Sequence, residues 1–396
     1  MQFKDIIAQD SVKQHLIEMV QQNRLSHALL FLGKEGSGAL PLAVAFAQFV
    51  ICQPGAAPVV EDLFGGMSAM QQGTSFIHPN DIENESAFHR LEQLIHPDLH
   101  FTYPIVNHKG EKLSTDYIKD WRDFLKTNPY GNVYEWLQMI GAENKQGNIT
   151  SEECEQIIKK LSLKSYESAF KVLIIWMPEF LGKEGNKLLK LIEEPPPDTL
   201  FILVAESEEQ ILPTILSRCQ LVKIPLLEND AIEHALINRA NVEPNTARQI
   251  AAIADGNYKE ALNLLQHVDE DWQSLLRDWL KFIIRQLLHD QIKFADEMAK
   301  LGREKQKQFL RYFNHIIEQA IRVKVLGLEV VAMPENEKDF AQRLNKIAGV
   351  SQMQAMLKEI DLASYYIERN ANNKILFQSL AIKLFHIIQN KVTIEL

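Results

Sequence analysis

Ala28-Leu29-Leu30-Phe31-Leu32-Gly33-Lys34-Glu35-Gly36-Ser37-Gly38-Ala39-Leu40 decides how the first half of this 396-residue chain reads. The apolar run Ala28–Leu32 has the composition of a strand buried on both faces, and it leads straight into a glycine-rich loop and the helix-forming stretch Leu42–Val50. Strand, glycine loop and helix in that order are the context of a phosphate-binding P-loop. The pattern GxxxxGK[ST] needs glycines so that backbone N–H groups wrap a phosphate, a lysine for the β- and γ-phosphates, and a hydroxyl for magnesium. Gly33 and Gly38 are in register with Gly36 between them, but Ala39 holds the lysine position and Leu40 the hydroxyl position. Lys34 is no substitute: it opens the loop rather than the helix, so the wrapped backbone directs it away from terminal phosphates. Charge-assisted contacts contribute about 1.5–3 kcal/mol each, so losing two predicts no tight Mg-ATP binding and no intrinsic ATPase activity.

A second stretch tests this independently. Val172–Ile175 reads as another buried strand and continues into Trp176-Met177-Pro178-Glu179. An ATPase of this layout places an Asp-Glu pair at that strand end, one carboxylate for magnesium and one to orient the attacking water. Trp176 and Met177 can do neither, and Glu179 reads as a surface or capping residue. With Leu200–Val204 as a further apolar run, residues 1–225 predict an α/β domain with a parallel sheet covered on both faces. Residues 52–75 predict a loop excursion, and a helical insertion into the sheet domain is expected near 104–148, with Trp121, Tyr130 and Trp136 in it.

Beyond Glu228 the strand signals stop. Helix starts or breaks at Asn229-Asp230, Pro244-Asn245 and Gly256-Asn257 predict a small helical domain over 226–267. Residues 268–396 predict a helical bundle, with Trp272, Leu275, Leu276, Trp279, Ile283 and Leu287 at helical spacing. Later stripes, Phe309, Phe313, Ile316 and Ile317 and then Ile375, Leu380, Leu384 and Phe385, read as core. The fold class is thus α/β plus all-α.

The balance of 42 basic against 52 acidic residues gives a net charge of −10, which argues against stand-alone nucleic-acid binding while leaving room for a local basic face. Cys52, Cys154 and Cys219 are far apart and odd in number, which fits a reducing compartment rather than a disulfide framework. The N-terminus lacks a signal-peptide stretch, and no apolar run approaches the roughly eighteen residues of a membrane span. A soluble, cytoplasmic protein without membrane contact is expected.

Three ordered segments carry a family resemblance: Asn23-Arg24-Leu25-Ser26-His27-Ala28-Leu29-Leu30-Phe31, Asn186-Lys187-Leu188-Leu189-Lys190-Leu191-Ile192-Glu193-Glu194-Pro195-Pro196, and Leu212-Pro213-Thr214-Ile215-Leu216-Ser217-Arg218-Cys219-Gln220. Together they resemble the bacterial clamp-loader AAA+ family of DNA polymerase III, in detail over 1–225, loosely over 226–265 and only architecturally beyond. The resemblance implies an AAA+ sheet domain, a helical lid and a collar domain for oligomerisation. In that family Ser-Arg-Cys supplies an arginine to the ATP of a neighbouring subunit, which places a trans-acting role on Arg218 with Ser217 beside it. The alternative is a structural arginine paired with Glu193 or Glu194. Ala205 and Glu206 stand where a Thr-Asn pair would sense the terminal phosphate, and Lys259 stands where the lid arginine would lie.

The resemblance therefore implies a non-hydrolysing member of the DNA polymerase III holoenzyme, a nucleotidyltransferase assembly. Implied partners are an ATPase motor subunit, a delta-like subunit and, through the assembly, the sliding clamp and primed DNA. Relatives often carry a four-cysteine zinc module, but Cys52 is the only cysteine before residue 154. His78, His89, His96 and His100 are other conceivable ligands, yet Pro97 interrupts the His96-x3-His100 spacing, so neither a metal nor a cofactor is expected. Two rival readings are an AAA+ ATPase that binds nucleotide by an atypical route, and a purely structural assembly protein.

Overall fold

The computed structural model describes residues 1–54, 76–107, 112–142, 147–266, 272–327, 335–369 and 371–390. Most of the expected 52–75 loop lies outside the described residues. Two compact units make up the chain: Met1–Val242 with Ala254–Glu260, and Glu243–Ile253 with Ala261–Leu396.

The first unit is built on five strands: β1 (Ala28–Gly33), β2 (Leu99–Thr102), β3 (Lys171–Trp176), β4 (Thr199–Ala205) and β5 (Gln220–Ile224). They lie in the order β2-β3-β4-β1-β5, and every pairing is parallel. Register is set by apolar partners such as Leu30 opposite Leu203, and Ile174 opposite Ile202. Alternate strand residues enter separate cores. Leu29, Phe31, Ile174 and Ile202 pack with the helix Ala39–Ile51, whereas Leu30, Leu173, Ile175 and Leu203 pack with Cys154, Ile157 and Leu161 of the helix Ser151–Ser162. Burial on both faces is why Ala28–Leu32, Val172–Trp176 and Leu200–Ala205 are continuous apolar runs instead of alternating. The helix Ala39–Ile51 is buried along its whole length, so Ala39 and Leu40 belong to the core.

The insertion between β2 and β3 is closed at its stem by an antiparallel bridge in which Ile105 and Asn148 exchange backbone hydrogen bonds of 3.0 and 2.9 Å. Within it the helices Ile118–Thr127 and Val133–Met139 are joined by a turn containing Pro129, Tyr130 and Gly131.

The three helices expected over 226–267 form as Asn229–Ala240, Pro244–Ala254 and Tyr258–Gln266. Their residues fall in both compact units, which divide after Val242, Ile253 and Glu260. In the second unit Phe309, Phe313, Ile316, Leu380 and Leu384 are core, and Trp279 stacks on Phe294 at 5.1 Å. Ile375 departs from its expected core role: it is 63% exposed, on the outer side of the helix Asn373–Asn390.

Candidate functional site

Ligands of open parallel sheets bind beyond the carboxyl ends of the strands, where neighbouring connections leave in opposite directions. Here that place is the end of β1, flanked by β4 and β5, and it brings together the loop Gly33–Leu40, Trp176, Met177, Ala205 and Glu206. The crevice between them has a volume of about 30 Å³. That admits a water molecule or two, whereas small-molecule sites start at about 300 Å³.

The insertion fills the difference. Tyr130 is buried over the loop, its hydroxyl accepting the Ile7 N–H at 2.9 Å and its ring meeting Tyr258 edge-on at 5.0 Å. Burial pushes its phenol up to about 12, so it stays neutral at physiological pH. Gly38 (φ +91°) has no room for a side chain, since a Cβ there would lie 3.0 Å from the Tyr130 ring. Gly36 (φ +74°) is more restricted still, because a Cβ would lie 1.9 Å from the Asn257 Oδ1. Asn257 is fixed there by accepting the Glu260 N–H at 3.0 Å, and Tyr258 N–H reaches the Gly36 carbonyl at 3.3 Å. The loop glycines therefore serve close packing of the chain's own side chains. Lys34 points to solvent, and the buried Ser37 hydroxyl lacks a partner among the described residues.

At the second position Trp176 ends β3 and is 3% exposed. It lies 5.1 Å from Trp121 and 5.8 Å from Phe124, and Trp121 in turn stacks on Tyr103 at 4.1 Å and meets Trp136 at 5.2 Å. An aromatic that anchors the insertion stands where an ATPase would keep its acids. Met177 follows in the left-handed region (φ +56°), held by its N–H to the Val204 carbonyl at 2.9 Å. Of the two roles expected for Glu179, surface or capping, the structure gives the second: it is half-buried and accepts the Glu206 and Ser207 N–H groups at 2.7 and 3.0 Å, tying the end of β4. Burial raises its pKa against those hydrogen bonds. Ala205 is buried at the end of β4.

Lys259 is buried and forms an ion pair with Glu135 of the insertion. The insertion thus reaches the glycine loop, the end of β3 and Lys259, through Tyr130, the Trp121 cluster and Glu135. Sequence reasoning missed Tyr130, Glu135 and Asn257 as site residues; only the aromatic density of the insertion hinted at them.

Arg218 follows the short helix Pro213–Leu216 and keeps 31% side-chain exposure. Its Nε and Nη2 donate to Glu193 Oε2 at 3.3 and 3.1 Å, and its Nη1 donates to the Thr214 carbonyl at 2.9 Å and to Ser217 Oγ at 3.4 Å. Ser217 itself donates to the Thr214 carbonyl at 3.2 Å. Of the two glutamates weighed from sequence, Glu193 is the ion-pair partner.

Among the described residues no group of three or more His, Cys, Asp or Glu is arranged to hold a metal. His96 pairs with Glu167 at 2.7 Å, beside Asp98, which accepts three backbone N–H groups from Tyr166, Glu167 and Ser168. His89 lies 3.1 Å from Gln93, burial lowers His100 to about 4, and burial pushes the Cys52 thiol up to about 12. Also among the described residues, no helix is long and apolar enough to cross a membrane.

A five-stranded parallel sheet in this order, a glycine loop after β1 and a helical C-terminal bundle match the AAA+ fold class expected from the sequence. Comparison with known proteins places it further: residues 8–61 and 69–228 match the family described as DNA polymerase III, delta subunit, and the chain belongs to that family. It is 27% identical over 256 residues to DNA polymerase III subunit delta' of Bacillus subtilis, covering 65% of this chain and 59% of that protein. With DNA polymerase III subunit tau of the same organism it is 26% identical over 268 residues, 66% of this chain and 37% of the relative. The chain thus spans less than two thirds of the length of either relative. Among solved structures, a Bacillus subtilis DNA clamp loader delta protein aligns over 94% of this chain and 99% of its own, at 9% identity and a TM-score of 0.29.

Proposed function

We propose that this chain is a non-hydrolysing, delta-prime-like subunit of the DNA polymerase III clamp loader, supporting sliding-clamp loading in DNA replication. It lends Arg218 to an ATP held by an adjacent ATPase subunit. A guanidinium delivered across an interface suits the charge that builds on a transferring phosphoryl group. The observation that carries this reading is an asymmetry: the crevice at the chain's own loop is narrowed to about 30 Å³, while Arg218 stays at the surface. A sheet domain, a lid and a collar are the proposed division of labour, with a motor subunit and a delta-like subunit as neighbours. Clamp and primed DNA are reached through the assembly, in keeping with a net charge of −10.

The ion pair with Glu193 favours a second reading, in which Arg218 is structural and the protein a scaffold. One experiment separates them. In a complex reconstituted with the ATPase subunit and primed DNA, Arg218→Ala is expected to slow hydrolysis at the neighbouring site by about 10³-fold or more, the effect of losing an arginine finger. Assembly, followed by gel filtration, stays intact. Unchanged turnover selects the scaffold.

A further inference from the structure

Building on that reading of Arg218, we infer that Glu193 is its positioning residue: the carboxylate occupies the phosphate-binding edge of the guanidinium until an anion from across the interface displaces it. Arg218 is held from two sides that differ in kind. On one side Nη1 donates to the Thr214 carbonyl and Ser217 Oγ, groups at the end of the helix that Arg218 itself follows. On the other side Nε and Nη2, the pair of N–H donors that makes a fork for a bidentate anion, both converge on the single oxygen Oε2 of Glu193.

Glu193 is the last residue of the helix Leu189–Glu193, and its side chain is 57% exposed, so it can turn into water while the anchor stays. A solvent-exposed ion pair is weak, and a guanidinium–phosphate pair is a stronger, bidentate interaction. The exchange therefore runs toward phosphate once one is presented. Its remaining cost is repulsion between the carboxylate and the incoming negative charge. Glu193 so keeps the guanidinium aimed and extended in the free chain, and it taxes engagement by the strength of one exposed pair.

The test uses the full chain in the reconstituted complex, with ATP varied over the hydrolysis assay. Glu193→Gln keeps the shape and removes the charge, and is expected to raise kcat/KM by about two- to fivefold, the range an exposed pair spans. The gain should shrink as salt is raised, because screening already weakens the pair in the parent protein. Glu193→Asp, which keeps the charge, should stay within about twofold of the parent. In an Arg218→Ala background Glu193→Gln should change nothing. An unchanged or lower kcat/KM for Glu193→Gln, alongside a collapse for Arg218→Ala, overturns the role of Glu193 and leaves the arginine reading standing. If Arg218→Ala leaves hydrolysis intact, the arginine reading itself fails and this role with it.

Discussion

Two regions of the sheet domain that the proposed function sets against each other, the glycine loop and the Arg218 tip, differ in how they are packed. The loop Gly33–Leu40 keeps its backbone course but has been absorbed into packing: Ala39 and Leu40 lie in the core, Tyr130 covers Gly38 and Asn257 covers Gly36. Among the described residues the Arg218 side chain makes exposed polar contacts to Glu193, Thr214 and Ser217. On the proposed reading, a cleft freed of its ligand leaves buried surface to be filled, and apolar and aromatic side chains fill it at a gain. A residue that acts on something outside the chain cannot be packed away without losing access. On that reading, polar loss and packing gain at the loop are one event, while the tip must stay open to act.

Stability measurements sharpen that contrast most. Trp176→Ala removes a buried ring from the cluster with Trp121 and Phe124, and should cost about 3–5 kcal/mol, as large-to-small core substitutions do. Arg218→Ala, at an exposed pair, should stay within about 0.5 kcal/mol. Urea unfolding of the two variants side by side reads both. A Trp176→Ala protein as stable as its parent would mean that the ring fills nothing, and the view of the cleft as converted core would fall.

A smaller effect is expected where the insertion grips Lys259. Glu135→Gln leaves a buried ammonium without its carboxylate, and should cost about 2–3 kcal/mol, somewhat below a fully enclosed pair because Glu135 is a quarter exposed. Hydrogen exchange should locate the loss, with amides of residues 254–260 exchanging faster than those of β1. Equal protection in variant and parent would show that the segment is held by its other contacts, Tyr258 on Gly36 and Leu227 on Gly256.

How much of this was legible in the sequence follows from how local each signal is. Strands β1, β3 and β4 announce themselves because burial on both faces demands continuous apolar runs. β5 shows only Val222 and Ile224 buried, and β2 spans four residues, so neither carries a comparable run. The loop was readable because its motif lies within thirteen consecutive residues, Ala28–Leu40. The role proposed for Arg218 rests on a resemblance, not on its own surroundings. What covers the loop was not readable: Tyr130 and Asn257 lie far along the chain from Gly36 and Gly38, and nothing in their local pattern marks the contact. Trp176 was read as the absence of an acid, and its positive role, as the seat for Trp121, emerges only when the insertion folds back.

The smallest expected effect is also the most direct test of the loop. Putting back the missing groups with Ala39→Lys and Leu40→Thr should restore no saturable binding of labelled ATP at micromolar concentration, because the obstacle is volume as well as chemistry. Tyr130, Pro129 and Pro41 wall the crevice on one side and a second cavity of about 430 Å³ on the other, lined also by Ile6, Leu94, Leu125 and Arg239. Adding Tyr130→Gly to the pair joins the two spaces and brings the volume into the range of nucleotide-sized sites. Weak, saturable binding should then appear in the triple variant and in neither the parent nor the double. Binding by the parent chain at micromolar ATP would favour the rival with an atypical nucleotide route, and would show that the packed loop is no barrier. Binding by the double variant alone would show that only the lysine and the hydroxyl were lost, and that Tyr130 yields when a phosphate arrives.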